Sequence, residues 1–205
     1  NPPGAELLGP ATDETLQANW NANGNPANTQ YSAEIYTPDL SGTLVATSPW
    51  ATGLSYSFTS LSPNVLYAVR VQARNSDLVT TAWTDLGTLY TLARPPLPGA
   101  PAFDPITNTS ITVNLDPNGN SAGTEYEIEC YEGDVVGGSP VGTSGWVTDL
   151  SVLFPGLTTG QTYTFRARAR NADGTVTAWT LLGTTTTFAQ PGALALAPIT
   201  TSSIQ

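Results

Sequence analysis

Charged side chains sit at every second position in two stretches of this sequence. Glu125, Glu127 and Glu129 alternate with Tyr126, Ile128 and Cys130, and Arg166, Arg168 and Arg170 alternate with Ala167 and Ala169. Neighbouring carboxylates can divide the work of general acid and general base in hydrolysis, or can hold a cation. A second cation candidate is Asp116-x-Asn118-x-Asn120, which begins like a calcium loop with Glu127 at its twelfth position. The glycine needed at the sixth position is Ser121, so a turn between strands accounts better for this stretch. Cys130 alternates in phase with apolar residues and reads as a small buried hydrophobe. A nucleophilic cysteine or serine would need a base beside it, and the chain has no histidine.

Composition narrows the choice further. The chain has 205 residues, 40% hydrophobic and 11% charged, with 19 glycines and 17 prolines. Histidine, lysine and methionine are absent, so the six basic residues are all arginine. Threonine is the commonest residue, which together with Gly/Pro punctuation predicts an all-β chain. A net charge of −10 would repel nucleic acid. One cysteine permits no intrachain disulfide. No apolar run is long enough to span a membrane as a helix, and no leader pattern opens the sequence. Asn1-Pro2-Pro3-Gly4 reads as a linker, as expected of a piece of something longer. Asn108-Thr109-Ser110 fits the glycosylation acceptor pattern, one such tripeptide being expected by chance in an Asn/Thr-rich chain.

The alternating stretches belong to a repeat. Thr29-Gln30-Tyr31-Ser32-Ala33-Glu34-Ile35 returns 95 residues later as Thr124-Glu125-Tyr126-Glu127-Ile128-Glu129-Cys130. Leu61, Tyr67, Arg70, Arg74, Asn75 and Trp83 return at an offset of 96, so the second copy carries one extra residue, placed at the Gly137-Gly138 turn. Pro198–Ile204 echoes Pro105–Ile111 and begins a third copy. The expected organisation is repeat 1 over 1–94, repeat 2 over 95–190 and the start of a truncated third repeat over 191–205. Within each repeat, period-2 apolar spacing predicts seven short strands with one face buried and one wet.

These residues resemble the fibronectin type III family. Tyr31 and Tyr126 match its strand-C tyrosine, and Trp20 its strand-B tryptophan, where the second copy has Leu115. Leu61-Ser62-Pro63-Asn64-Val65-Leu66-Tyr67 resembles the family's Leu-x-Pro-x-x-x-Tyr signature, and Leu157 to Tyr163 keeps it apart from the proline. The resemblance implies tandem immunoglobulin-like seven-strand β-sandwiches, with strands A, B and E in one sheet and C, F and G plus C′ or D in the other. It also implies a tyrosine corner at Tyr67 and Tyr163. Strands C and F would then be antiparallel neighbours, pairing Glu125 with Arg170, Glu127 with Arg168 and Glu129 with Arg166. Repeat 1 keeps Glu34, Arg70 and Arg74 but has Ser32 and Gln72, both neutral, at the centre. Arginines facing the glutamates neutralise them, so a structural ladder on an open, wet face is favoured over a hydrolytic or cation site. Trp83 and Trp179 begin the G strands and loosely resemble half of the Trp-Ser-x-Trp-Ser motif of cytokine receptors. That likeness implies Trp83 over Arg70 or Arg74, and Trp179 over Arg166, Arg168 or Arg170. A sugar-stacking platform is the competing reading of these rings. Trp50 and Trp146 are expected to cover the edge of the core.

Arg94-Pro95-Pro96-Leu97-Pro98-Gly99-Ala100-Pro101 predicts a semi-rigid polyproline II spacer between the repeats. The expectation is a non-enzymatic, extracellular or cell-surface, bacterial-type structural repeat protein without cofactor or metal, acting as spacer, surface stalk or filament segment. Its expected partners are neighbouring repeats or copies of itself. The alternative is an adhesin or a carbohydrate-binding accessory module, with a surface protein or glycan as partner.

Overall fold

Leu16, Ala18 and Trp20 point inward from one strand, and Ile111, Val113 and Leu115 from its counterpart, because side chains on a strand alternate between faces. The computed structural model describes residues 1–190; the expected third repeat at 191–205 lies outside them. The first unit has β1 (Gly4–Ala5), β2 (Leu16–Asn21), β3 (Gln30–Thr37), β4 (Thr43–Thr47), β5 (Ser55–Phe58), β6 (Leu66–Arg74) and β7 (Thr84–Tyr90). The second has β8 (Leu97–Ile106), β9 (Ser110–Asp116), β10 (Glu125–Glu132), β11 (Gly142–Thr143), β12 (Ser151–Pro155), β13 (Thr162–Arg170) and β14 (Thr180–Thr186). The described residues contain no helix.

Each unit is a sandwich of a three-stranded and a four-stranded antiparallel sheet. The orders are β1-β2-β5 and β4-β3-β6-β7 in the first, β8-β9-β12 and β11-β10-β13-β14 in the second. In letters these are A-B-E and C′-C-F-G. Each pair of sheets closes on its own core. In the first, Trp20 and Tyr31 lie 6.1 Å apart, centroid to centroid. In the second, where Leu115 replaces the tryptophan, Phe165 stands where the first unit has Val69 and meets Phe103 and Phe154 at 5.3 Å each. Bulk lost from β9 is regained on β13, as close packing requires. Cys130 is fully buried on the inward face of β10.

One expectation needs correcting. The polyproline spacer predicted over 94–101 is shorter than that, because β8 begins at Leu97 and takes in Pro98 and Pro101. Polyproline II and strand backbones are neighbours in φ/ψ space, and β8 is an edge strand, where a missing N–H is tolerated. Its pairing with β9 shifts register after Pro98 and again after Phe103.

Candidate functional site

The four-stranded sheets carry the charged faces. The β10–β13 register sets Glu125 opposite Arg170, Glu127 opposite Arg168 and Glu129 opposite Arg166. Each pair closes on the guanidinium Nε, which donates to a carboxylate oxygen at 2.6, 2.8 and 2.7 Å respectively. In the first unit Arg70 Nε donates to Glu34 at 2.8 Å, and Arg74 Nε to Gln30 at 2.8 Å. Between them Ser32 faces Gln72, with no charge on either side.

Aromatic rings cover the guanidiniums. Trp179 lies 4.2 Å from Arg166 and 4.3 Å from Arg168, and Trp146 lies 5.3 Å from Arg168 and 4.5 Å from Arg170. Tyr131 continues the series beside Arg166 at 5.1 Å. The second unit thus presents a continuous stack in the order Tyr131, Arg166, Trp179, Arg168, Trp146, Arg170. The first unit has the same stack broken at its uncharged centre. Trp83 and Tyr36 hold Arg70 at 4.4 and 4.8 Å, and Trp50 alone holds Arg74 at 4.3 Å. Trp50 and Trp146 therefore lie on the ladder and not over the core edge as expected. Both follow the C′ segment, whose bridges Tyr31–Ala51 and Tyr126–Val147 lay it along strand C.

The cover makes the face drier than its alternation suggested. The Glu34, Glu127 and Glu129 side chains are only 16, 16 and 15% exposed. Arg170 holds the Glu125 carboxyl below its ordinary range, and Glu125 in turn raises Arg170. Burial pushes Glu129 up, but the Tyr131 hydroxyl and the Arg166 guanidinium outweigh it and leave the carboxyl below its usual value. The Tyr36 and Tyr131 hydroxyls are raised by burial and then by the carboxylates they donate to, Glu34 at 2.7 Å and Glu129 at 2.6 Å. Sequence reasoning missed these two tyrosines, although they share the outward phase of Glu34 and Glu129.

The remaining candidates are committed elsewhere. Asp116 and Asn118 form the turn after β9, where Asn118 N–H donates to Asp116 Oδ1 at 2.7 Å, and Glu127 is taken by Arg168. Burial pushes the Cys130 thiol up to about 12, which leaves no thiolate at neutral pH. At the E–F corners the Tyr67 hydroxyl accepts from Ser62 N–H at 2.9 Å and Tyr163 from Thr158 N–H at 2.8 Å. Both rings are buried.

The two sandwiches have counterparts among known proteins. Residues 96–182 match the family model described as the fibronectin type III domain. The second unit is fibronectin type III-like. The first repeats its strand order and its corner, so the chain carries two fibronectin type III-like domains in tandem. A two-domain fibronectin type III segment from chicken tenascin has a similar fold, with a TM-score of 0.61 at 18% identity. The match covers 91% of this chain and 100% of that one. Fibronectin type III domains are commonly structural or adhesion modules of extracellular proteins, and the fold is typically non-catalytic.

Between the two domains lies a joint that the sequence reading did not foresee. Asn64, in left-handed conformation (φ 52°) at the first E–F corner, plugs into the loops of the second domain. Its Nδ2 donates to Thr124 Oγ1 at 2.7 Å, its Oδ1 accepts from Ala172 N–H at 2.9 Å and its carbonyl accepts from Ser121 Oγ at 2.5 Å. Asn171 Nδ2 donates to Thr91 O at 3.3 Å. Asn64, Thr91, Thr124 and Asn171 are all buried. The linker is clamped as well. Arg94 N–H donates to Asn120 Oδ1 at 2.7 Å, and Asn120 Nδ2 returns a bond to Arg94 O at 2.8 Å. Asn118 Nδ2 donates to Pro95 O at 2.9 Å. The Arg94 guanidinium pairs back to Asp13 at 2.6 Å and to Glu14.

Proposed function

We propose that this chain is a non-enzymatic spacer of an extracellular or cell-surface protein, in which consecutive domains are locked end to end as a stiff stalk or fibre segment. The Asn64 joint carries this reading. Its buried donors and acceptors are satisfied in one relative orientation, and each would cost about 1–3 kcal/mol if left buried and unpaired. Two sandwiches held this way transmit orientation, which is what a spacer must do. The ladder carboxylates are neutralised by arginine and the cysteine is inert, so neither offers a reacting group.

The test is orientational. Residual dipolar couplings measured on the two domains should fit one shared alignment tensor. Asn64→Gly, which keeps the left-handed backbone and removes the plug, should split them into two. Independent tensors in the unaltered chain would refute the spacer reading. An adhesin or carbohydrate module is favoured by one feature, a shallow hollow of about 420 Å³ where Val135, Val136 and Leu181 border Trp179. Glycan-array binding lost on Trp179→Ala would move the reading there.

A further inference from the structure

The loop end of the first domain is built like the loop end of the second, which receives Asn64. Asn25 clamps the chain entering the first domain as Asn120 clamps the linker. Asn1 N donates to Asn25 Oδ1 at 2.8 Å and Asn25 Nδ2 donates to Asn1 O at 2.8 Å. Asn23 Nδ2 donates to Pro2 O at 3.0 Å, as Asn118 does to Pro95. Asn1-Pro2 therefore stands where Arg94-Pro95 stands. Three groups meet the first domain and its last strand in the filled socket, Thr124 Oγ1, Asn171 Nδ2 and Ala172 N–H. Their counterparts are Thr29 Oγ1, Asn75 Nδ2 and Ser76 N–H, and these make no hydrogen bond among the described residues. The three counterparts line one open hollow of about 440 Å³. Asn75 is exposed there, whereas Asn171 in the filled socket is 3% exposed.

We infer that this hollow is a second socket, and that its occupant is the E–F corner of another fibronectin type III domain bearing a short amide side chain at its left-handed position. Continuity with the joint within the chain selects that occupant. The same acceptor hydroxyl and the same two donors are present, the entering backbone is already held in the linker's path, and the hollow lies where the first domain sits on the second. The chain's own corners do not supply it. Asn64 is already seated, and the corresponding residue of the second domain is Gly160, with φ 69° and no side chain. Two contacts of the filled joint have no counterpart, because Pro26 replaces Ser121 and Asn1 replaces Arg94. The second socket therefore depends on the amide plug more than the first does.

The experiment adds one domain to the intact chain, placing a copy of residues 1–93 directly ahead of Asn1. Amide hydrogen exchange at Ser76 should slow by about tenfold or more relative to the unextended chain, the size expected when an exposed N–H gains a hydrogen bond. Asn64→Gly in the added copy alone should abolish that protection. Ala172 N–H in the same molecule is the internal reference. Protection at Ala172 with none at Ser76 overturns the second socket and leaves the spacer reading standing. Loss of protection at both overturns the two together. Protection at Ser76 that survives Asn64→Gly also overturns it, since the amide plug would then not be the occupant's anchor.

Discussion

A guanidinium offers a planar edge to a carboxylate and a flat face to an aromatic ring at the same time, which an ammonium cannot. Arg168 uses both, with Glu127 on its edge and Trp146 and Trp179 against its faces. Arg168→Lys should therefore lower the stability of the second domain by about 0.5–1 kcal/mol in chemical denaturation although charge is kept. Arg168→Gln should cost more, because it leaves Glu127 partly buried without a partner. The double change Glu127→Ser with Arg168→Gln copies the Ser32–Gln72 centre of the first domain. It should cost less than the two single changes summed, with a coupling of about 1 kcal/mol in a double-mutant cycle. The ladder also sets a pH response. Glu125 and Glu129 are both held below their ordinary range in the folded chain, so the unfolded chain takes up protons first on acidification. Their contribution is fully present above the ordinary glutamate value of about 4.3 and is lost as pH falls through that value toward the folded ones. Urea midpoints measured across this range should fall, and should fall less in a chain carrying Glu125→Gln and Glu129→Gln.

At the scale of elements, the E–F corner ties the end of one sheet to the start of strand F. Tyr163→Phe removes the acceptor for Thr158 N–H while keeping the ring in the core. It should cost about 1–2 kcal/mol by equilibrium denaturation, with Tyr67→Phe similar in the first domain. A cost no greater than that of a surface Tyr→Phe would show that the corner is packing alone. The outward phase of the ladder was legible beforehand from strand parity, while its C–F pairing and the corner followed from the resemblance to fibronectin type III domains. On a strand the parity of a residue decides its face, so Tyr126, Ile128 and Cys130 go inward once Glu125, Glu127 and Glu129 go outward. The joint was not legible. Asn118 and Asn120 read as turn residues, and they do form a turn. An asparagine in a turn can spend its side chain locally or across an interface, and nothing in its spacing tells the two apart. The strand β8 was misread for a related reason, since proline-rich backbone is extended in a spacer and in an edge strand alike.

At the scale of the molecule, two domains share a joint made mostly of amide side chains, and the outer face of each four-stranded sheet carries its own ladder. The composition then has a consequence for proteolysis. An enzyme that cuts after lysine or arginine finds no lysine here and six arginines. Arg94 is followed by Pro95, a bond such enzymes do not cut. Arg70 and Arg166 lie within β6 and β13 with a paired strand on both sides, and Arg168 is paired with β10 on one side while its side chain is held by Glu127 and Trp179. Arg74 and Arg170 close those strands with their side chains held by Gln30 and Trp50, and by Glu125 and Trp146. Cleavage therefore has to wait for a domain to open. Digestion with trypsin should be slow in native buffer and should accelerate with urea in parallel with the unfolded fraction. Rapid nicking of the native chain at any of the six would contradict the clamped ladder. Such proteases would cut a chain of these domains only in proportion to the fraction of it that is open.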